Sequence, residues 1–246
     1  MTEASGRSAV VTGAAGGMGR AITRALLESG RPVVLVDRHA ESLRKFADET
    51  GDRTFPIQLD IADAKSVDRL PDLIPDVFKP IDILVNNAGH DIGGRTRFDI
   101  GSAVDWSSII QTNLIGLMRV TRSMLPDMIS RNSGHIVNIS SINAVRIVPD
   151  MAAYSASKAG VHMFTETLRG ELAETAIRVT EMQPGLTRTN IIRTRYRGDR
   201  NKEKDYFDQF KIALDPADVA RAIVFALDQP LHVQIAEMMI LPVNRY

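Results

Sequence analysis

The chain contains no cysteine, which excludes disulfides, thiolate nucleophiles and thiolate metal sites together and agrees with a cytoplasmic setting. Its five histidines, His39, His90, His135, His162 and His232, are scattered without zinc-ligand spacing, so no metal is expected. Neither sign of charge is in excess: 30 Lys and Arg stand against 30 Asp and Glu. No global field draws such a chain to nucleic acid or to an anionic membrane. No stretch approaches the ~18 consecutive apolar residues of a membrane span. The start, M-T-E-A-S-G-R-S, has neither a basic opening into an apolar run nor a cleavage pattern, so a soluble, unexported protein is expected. Internal repeats, low-complexity segments and Gly-, Ser- or Pro-rich linkers are also missing. A length of 246 residues at 44% hydrophobic content therefore reads as one domain, residues 1–246, with a large core.

What is present is an alternation. Short apolar runs at 8–12, 32–36, 55–59, 81–85 and 135–139 read as buried strands, with further strands at 177–182 and 236–241. Between them, 18–29, 40–50, 64–77, 102–131 and 151–175 have helical length and periodicity. Such a rhythm predicts an α/β fold, a Rossmann-type doubly wound parallel sheet with helices on both faces. One segment departs from it: 190–206, N-I-I-R-T-R-Y-R-G-D-R-N-K-E-K-D-Y, is polar and charged and reads as part of a mobile loop over the scaffold, spanning 190–212.

The first strand runs through T-G-A-A-G-G-M-G, residues 12–19, into a helix. A glycine turn at a helix N-terminus lets backbone amides approach a pyrophosphate. The glycines fit two registers, through Gly13, Gly17 and Gly19 or through Gly13, Gly16 and Gly19. The second strand ends in Asp37, 18 positions after Gly19, close to the ~20 expected of an acid that binds the adenosine ribose hydroxyls. A carboxylate there repels a 2'-phosphate, so NAD is expected over NADP, although the adjacent Arg38 could accept such a phosphate. Asp60, ending the third strand, is an adenine-contact candidate. Further on, A-Y-S-A-S-K-A-G at 153–160 places Tyr154 and Lys158 on one helical face. An ammonium beside a phenol, with the positive charge of an oxidised nicotinamide nearby, favours the phenolate and so lowers a pKa that is otherwise about 10.

With N-N-A-G at 86–89, Asn113 in Q-T-N-L, N-I-S-S at 138–141, Y-S-A-S-K and P-G-L-T-R-T at 184–189, the chain resembles the shorter branch of the short-chain dehydrogenase/reductase family. The resemblance implies hydride transfer between a nicotinamide cofactor and an alcohol or carbonyl, and it selects the register Gly13, Gly17, Gly19. It implies Asn113, Ser141, Tyr154 and Lys158 as catalytic residues, with Ser141 and Tyr154 also touching the substrate. Met18, Asn87, Ala88, Gly89, Pro184, Gly185, Leu186 and Thr189 would join the glycines, Asp37, Arg38, Asp60, Tyr154 and Lys158 around the cofactor.

The late part of the chain is similar to a subgroup acting on 3-hydroxy acids, serine and sulfonated alcohols. Members carry an arginine four positions before the aspartate of a basic-Gly-Asp tripeptide, which in R-Y-R-G-D is Arg195; it would clamp an anionic substrate. That subgroup tends to use NADP, and Asp37 departs from it. The resemblance also implies a homotetramer joined through the helices at 102–131 and 151–175, which carry Met118, Met124, Ala159, Gly160, Phe164 and Leu168. Two other functions remain in view: an NADP-dependent 3-oxoacyl-carrier reductase, and a nucleotide-sensing protein of the same fold without turnover. The first would favour a basic docking surface and the second the loss of Ser141, Tyr154 or Lys158.

Overall fold

The structure is a computed structural model and describes residues 7–210 and 212–243; of the segments read above, positions 1–6, 211 and 244–246 lie outside it. In chain order the elements are β1 (Ser8–Thr12), α1 (Gly17–Glu28), β2 (Val33–Asp37), α2 (Ala40–Thr50), β3 (Thr54–Gln58), α3 (Ala64–Asp68), α4 (Leu70–Leu73), β4 (Ile81–Asn86), α5 (Ala103–Ile110), α6 (Leu117–Arg131), β5 (Gly134–Ile139), α7 (Ala152–Glu171), β6 (Ile177–Pro184), α8 (Ile191–Arg195), α9 (Arg200–Asp208), α10 (Pro216–Leu227) and β7 (Glu237–Ile240). The strands form one parallel sheet in the order β3-β2-β1-β4-β5-β6-β7. Because successive strand residues face opposite sides, Val10, Val34, Leu84, Ile136 and Val179 pack against α3, α4, α6 and α7. Their neighbours Val11, Leu35, Val85 and Val137 pack against α1, α2 and α10. With both faces covered, the strands are nearly continuous apolar runs, as parallel strands must be.

Four departures from the sequence reading have local causes. The helix expected at 64–77 breaks into α3 and α4, because Pro71 near the start of α4 has no N–H to carry a ladder through. The helix expected at 102–131 is interrupted by a π-helical turn, Gln111–Gly116, centred near Asn113. Helix α10 was legible but unread: Asp215 and Asp218 form a capping box with Pro216 at the first helical position, a standard start signal. The excursion after residue 190 is not bare loop. It holds α8 and α9 and its own apolar cluster of Leu186, Ile192 and Tyr206, with Tyr196, Phe207 and Phe210 against it.

Candidate active site

The strand order reverses between β1 and β4, so the chain after β1 leaves to one side and the chain after β4 to the other, opening a crevice at the C-terminal strand ends. A cleft of about 710 Å³ fills it. Every site residue read from the sequence lines this cleft except Asn113.

The nucleotide wall is made of backbone. Gly13 has φ +66°, a conformation that favours glycine, and a Cβ there would stand 2.8 Å from the Ala88 Cα. A Cβ on Gly19 would stand 2.1 Å from the Gly13 carbonyl, so the turn can close onto α1 only with glycine at both places. The N-N-A-G segment braces this turn: Asn87 Nδ2 donates to the carbonyls of Thr12 (2.9 Å) and Gly13 (3.2 Å). Thr12 Oγ1 in turn accepts from the amides of Asn87 and Ala88 at 3.0 and 3.1 Å. Thr12 escaped the sequence reading as a site residue because a threonine ending an apolar strand looks like core.

Asp37 corrects the sequence reading. One of its carboxylate oxygens accepts from the Ala15 amide at 3.0 Å and the other from the His39 amide at 2.9 Å. The buried carboxylate thus ties the glycine turn to the end of β2, with both oxygens already engaged by backbone. Arg38 is half-exposed, with its guanidinium 4.0 Å from Asp60, and opens onto a surface hollow lined also by His39, Ser42 and Lys45. That hollow lies at the N-terminus of α2 and brings two cations, Arg38 and Lys45, together beside the Glu41 carboxylate.

At the chemical end, α7 presents Tyr154 and Lys158 one turn apart. Lys158 Nζ donates to the Ile139 carbonyl at 2.8 Å and lies 5.9 Å from the centroid of the Tyr154 ring. Burial lowers the Lys158 ammonium to about 8, against the pull of Glu181. Tyr154 is pushed up to about 12, first by burial and then by Asp91, with hydrogen bonding to Ser141 and the charge of Arg195 opposing. Burial is thus the largest influence on the Tyr154 phenol, and Lys158, on the same helix face, meets a backbone carbonyl. Ser140 is spent on structure, its hydroxyl donating to the Lys158 carbonyl at 3.2 Å.

Asn113 is fully buried and works from behind the cleft. Its Oδ1 accepts from the His90 amide (2.9 Å), and its Nδ2 donates to the His90 carbonyl (2.9 Å) and to Ser157 Oγ (3.1 Å). The π-helical turn carries it there. A Cβ on Gly89 would lie 3.1 Å from Asn113 Oδ1 and 3.7 Å from Lys158 Nζ, so the three groups converge.

Arg195 sits on α8 and is 6% exposed. Its Nε and Nη2 hold one oxygen of Asp91 at 2.7 and 2.6 Å, and the guanidinium lies 4.8 Å over the Tyr206 ring. Its Nη1 has no hydrogen-bond partner among the described residues. A second ion pair, Arg197 to Asp105 at 2.7 Å, also joins the 190s segment to the body. Asp91 and Tyr206 had no sequence signal, since an aspartate after N-N-A-G-H and a tyrosine in a charged run read as surface.

Comparison with known proteins agrees with this geometry. The description "short chain dehydrogenase" fits residues 7–200. An NADP-dependent 3-hydroxy acid dehydrogenase, YdfG of Escherichia coli strain K12, is 38% identical over 96% of this chain and 95% of its own length. An uncharacterized oxidoreductase of Staphylococcus aureus strain MW2 is 35% identical over 99% of this chain and 100% of its own. The closed form of a serine dehydrogenase complexed with NADP+ superposes with a TM-score of 0.94 at 37% identity, covering 97% of this chain and 96% of that one. The expectation of NAD over NADP is overturned by two of these relatives, the 3-hydroxy acid dehydrogenase named as NADP-dependent and the serine dehydrogenase complexed with NADP+; the physical reason lies in Arg38, whose guanidinium beside Asp37 offers a phosphate a cation.

Proposed function

The chain belongs to the short-chain dehydrogenase family, and from that premise we propose that it is an NADP-dependent dehydrogenase of small hydroxy acids. The observation that carries the substrate class is Arg195: a buried guanidinium lining the same cleft as Ser141 and Tyr154, with Nη1 unpaired among the described residues. A buried donor without a partner is costly, and a carboxylate is its natural complement. The names of the 3-hydroxy acid and serine dehydrogenases support the same class. Arg38, with Ser42 and Lys45 beside it, would hold the 2'-phosphate, and the turn from Gly13 to Gly19 the pyrophosphate.

When bound, the nicotinamide supplies the hydride in reduction and accepts it in oxidation. The protein handles the proton. In reduction, the protonated Tyr154 phenol donates its proton to the substrate oxygen while the Ser141 hydroxyl steadies the charge that develops there. The Lys158 ammonium then favours the phenolate left behind, and Asn113 keeps the backbone at His90 and the Ser157 hydroxyl in register beside it. Arg195, fixed by Asp91, would orient the acid so that its hydroxyl-bearing carbon faces the cofactor. In oxidation the same groups run in reverse. Exposed apolar side chains on the paired helices, Met118 at 39% and Met163 at 61%, support the homotetramer, although Met124 and Leu168 belong to the core. The test of function is kcat/KM for a panel of 3-hydroxy acids and neutral alcohols with each nicotinamide cofactor. Turnover confined to neutral alcohols, or to NAD, would overturn this reading.

A further inference from the structure

His162 and Glu166 lie one turn apart on α7, and Glu181 and Glu237 are register partners on β6 and β7. An i, i+4 pair shares a helix face, and residues paired across strands share a sheet face. The four side chains consequently meet between the helix and the edge of the sheet. One ligand atom from each, an imidazole nitrogen or a carboxylate oxygen, lies within 4.8 Å of the other three. Glu181 is buried, His162 and Glu166 are half-buried, and Glu237 is exposed, so an ion can enter from the Glu237 side. The reaction proposed above makes no use of this cluster.

Its charges are incompletely matched. Glu166 pairs with Arg169, Glu181 Oε2 contacts His162 Nδ1 at 2.7 Å, and Glu237 accepts from the Gln183 amide at 3.3 Å. Glu181 is 0% exposed, and its other oxygen, Oε1, has no hydrogen-bond partner among the described residues. An unpaired carboxylate oxygen in the interior is costly, and like charges directly opposite on paired strands repel. A cation among the four would relieve both.

We propose that His162, Glu166, Glu181 and Glu237 form a divalent-cation site, selective for Zn²⁺ over Mg²⁺ because an imidazole nitrogen is among the donors. Four donors around one tetrahedral zinc, at Zn–N and Zn–O bonds of ~2.0–2.2 Å, stand roughly 3.3–3.6 Å apart. The observed separations run from 2.7 Å between His162 Nδ1 and Glu181 Oε2 up to 4.8 Å, and rotation of the half-buried His162 and Glu166 and the exposed Glu237 by about 1 Å would close them on one ion. The sequence hid the site because its four ligands come from three elements, with no His-rich or Cys-rich spacing to mark them.

The experiment is calorimetric titration of Zn²⁺, and separately of Mg²⁺, into the full chain after removal of metals with a chelator. The expected result is saturable binding of one Zn²⁺ per chain, weaker by at least ~10-fold in both Glu237→Gln and His162→Gln, with Mg²⁺ much weaker. Glu237 is exposed and His162 half-buried, so both variants should fold, which far-UV circular dichroism checks. No saturable Zn²⁺ binding by the wild type, or affinity unchanged in the two folded variants, would overturn the site.

Discussion

At the nucleotide end of the cleft the sheet itself supplies the wall: strand ends, a glycine turn and backbone amides, braced by Thr12, Asn87 and Asp37. At the opposite end, beside Tyr154, the wall is made of side chains from α8 and the segment after β4, held by Arg195 to Asp91 and, outside the cleft, by Arg197 to Asp105 on α5. The first end is built by local turn chemistry and strand register. The second depends on ion pairs between residues 104 and 92 positions apart. A backbone wall tolerates changes in side-chain charge, whereas a wall of ion pairs does not, and the two ends should respond differently to mutation.

The largest effect belongs to the group between the two ends. Tyr154→Phe should lower kcat by ~10²- to 10⁴-fold, the usual contribution of a general acid, while NADP affinity measured by fluorescence titration changes little. A wild-type rate would move the proton to another group. Next comes Arg195→Ala, which leaves the buried Asp91 without its partner. Breaking a buried pair typically costs roughly 3–5 kcal/mol, so denaturant unfolding should show a loss of that order, together with a higher KM for hydroxy acids than for neutral alcohols. An unchanged midpoint would mean that the pair contributes nothing to holding the substrate wall.

Arg38→Ala tests the other end. Losing a charge-assisted bond of ~1.5–3 kcal/mol should raise the KM for NADP about 10- to 100-fold. Both stability and turnover at saturating NADP should stay near wild type, since Arg38 is half-exposed and Asp37 holds the turn by itself. The smallest effect is in pH. The Lys158 ammonium, lowered to about 8 by burial, is present below that pH and lost above it. The kcat/KM for carbonyl reduction should therefore be flat at lower pH and fall toward tenfold per unit above about 8. A profile still flat two units higher would show that Lys158 keeps its proton.

Much of this was legible from residue order. The sheet was, because runs such as S-A-V-V-T and I-D-I-L-V can pack only as strands covered on both faces. So were Tyr154 and Lys158, whose spacing of four is itself a statement about a helix face, and Gly13 and Gly19, whose turn admits no Cβ. Asp37 was located correctly, but the NAD preference drawn from it was overturned. Its position at a strand end can be read from the sequence, but the two amides that occupy its oxygens cannot, because one of them, Ala15, arrives from 22 positions away.

The sequence by itself determined the order of strands and helices, the glycine turn, and the residues brought to the strand ends, since each follows from periodicity, turn chemistry or spacing within a few residues. Only the tertiary structure decided which charges meet: Asp37 with two backbone amides, Arg195 with Asp91, and His162 with three carboxylates from three elements. It also decided the surroundings of Tyr154, where burial and Asp91 push the phenol up while Ser141 and Arg195 oppose them. The reason is common to all of these. Backbone conformation is set by local sterics and hydrogen bonding, whereas the energy of a charge depends on how far it is buried and on which partners reach it across the fold.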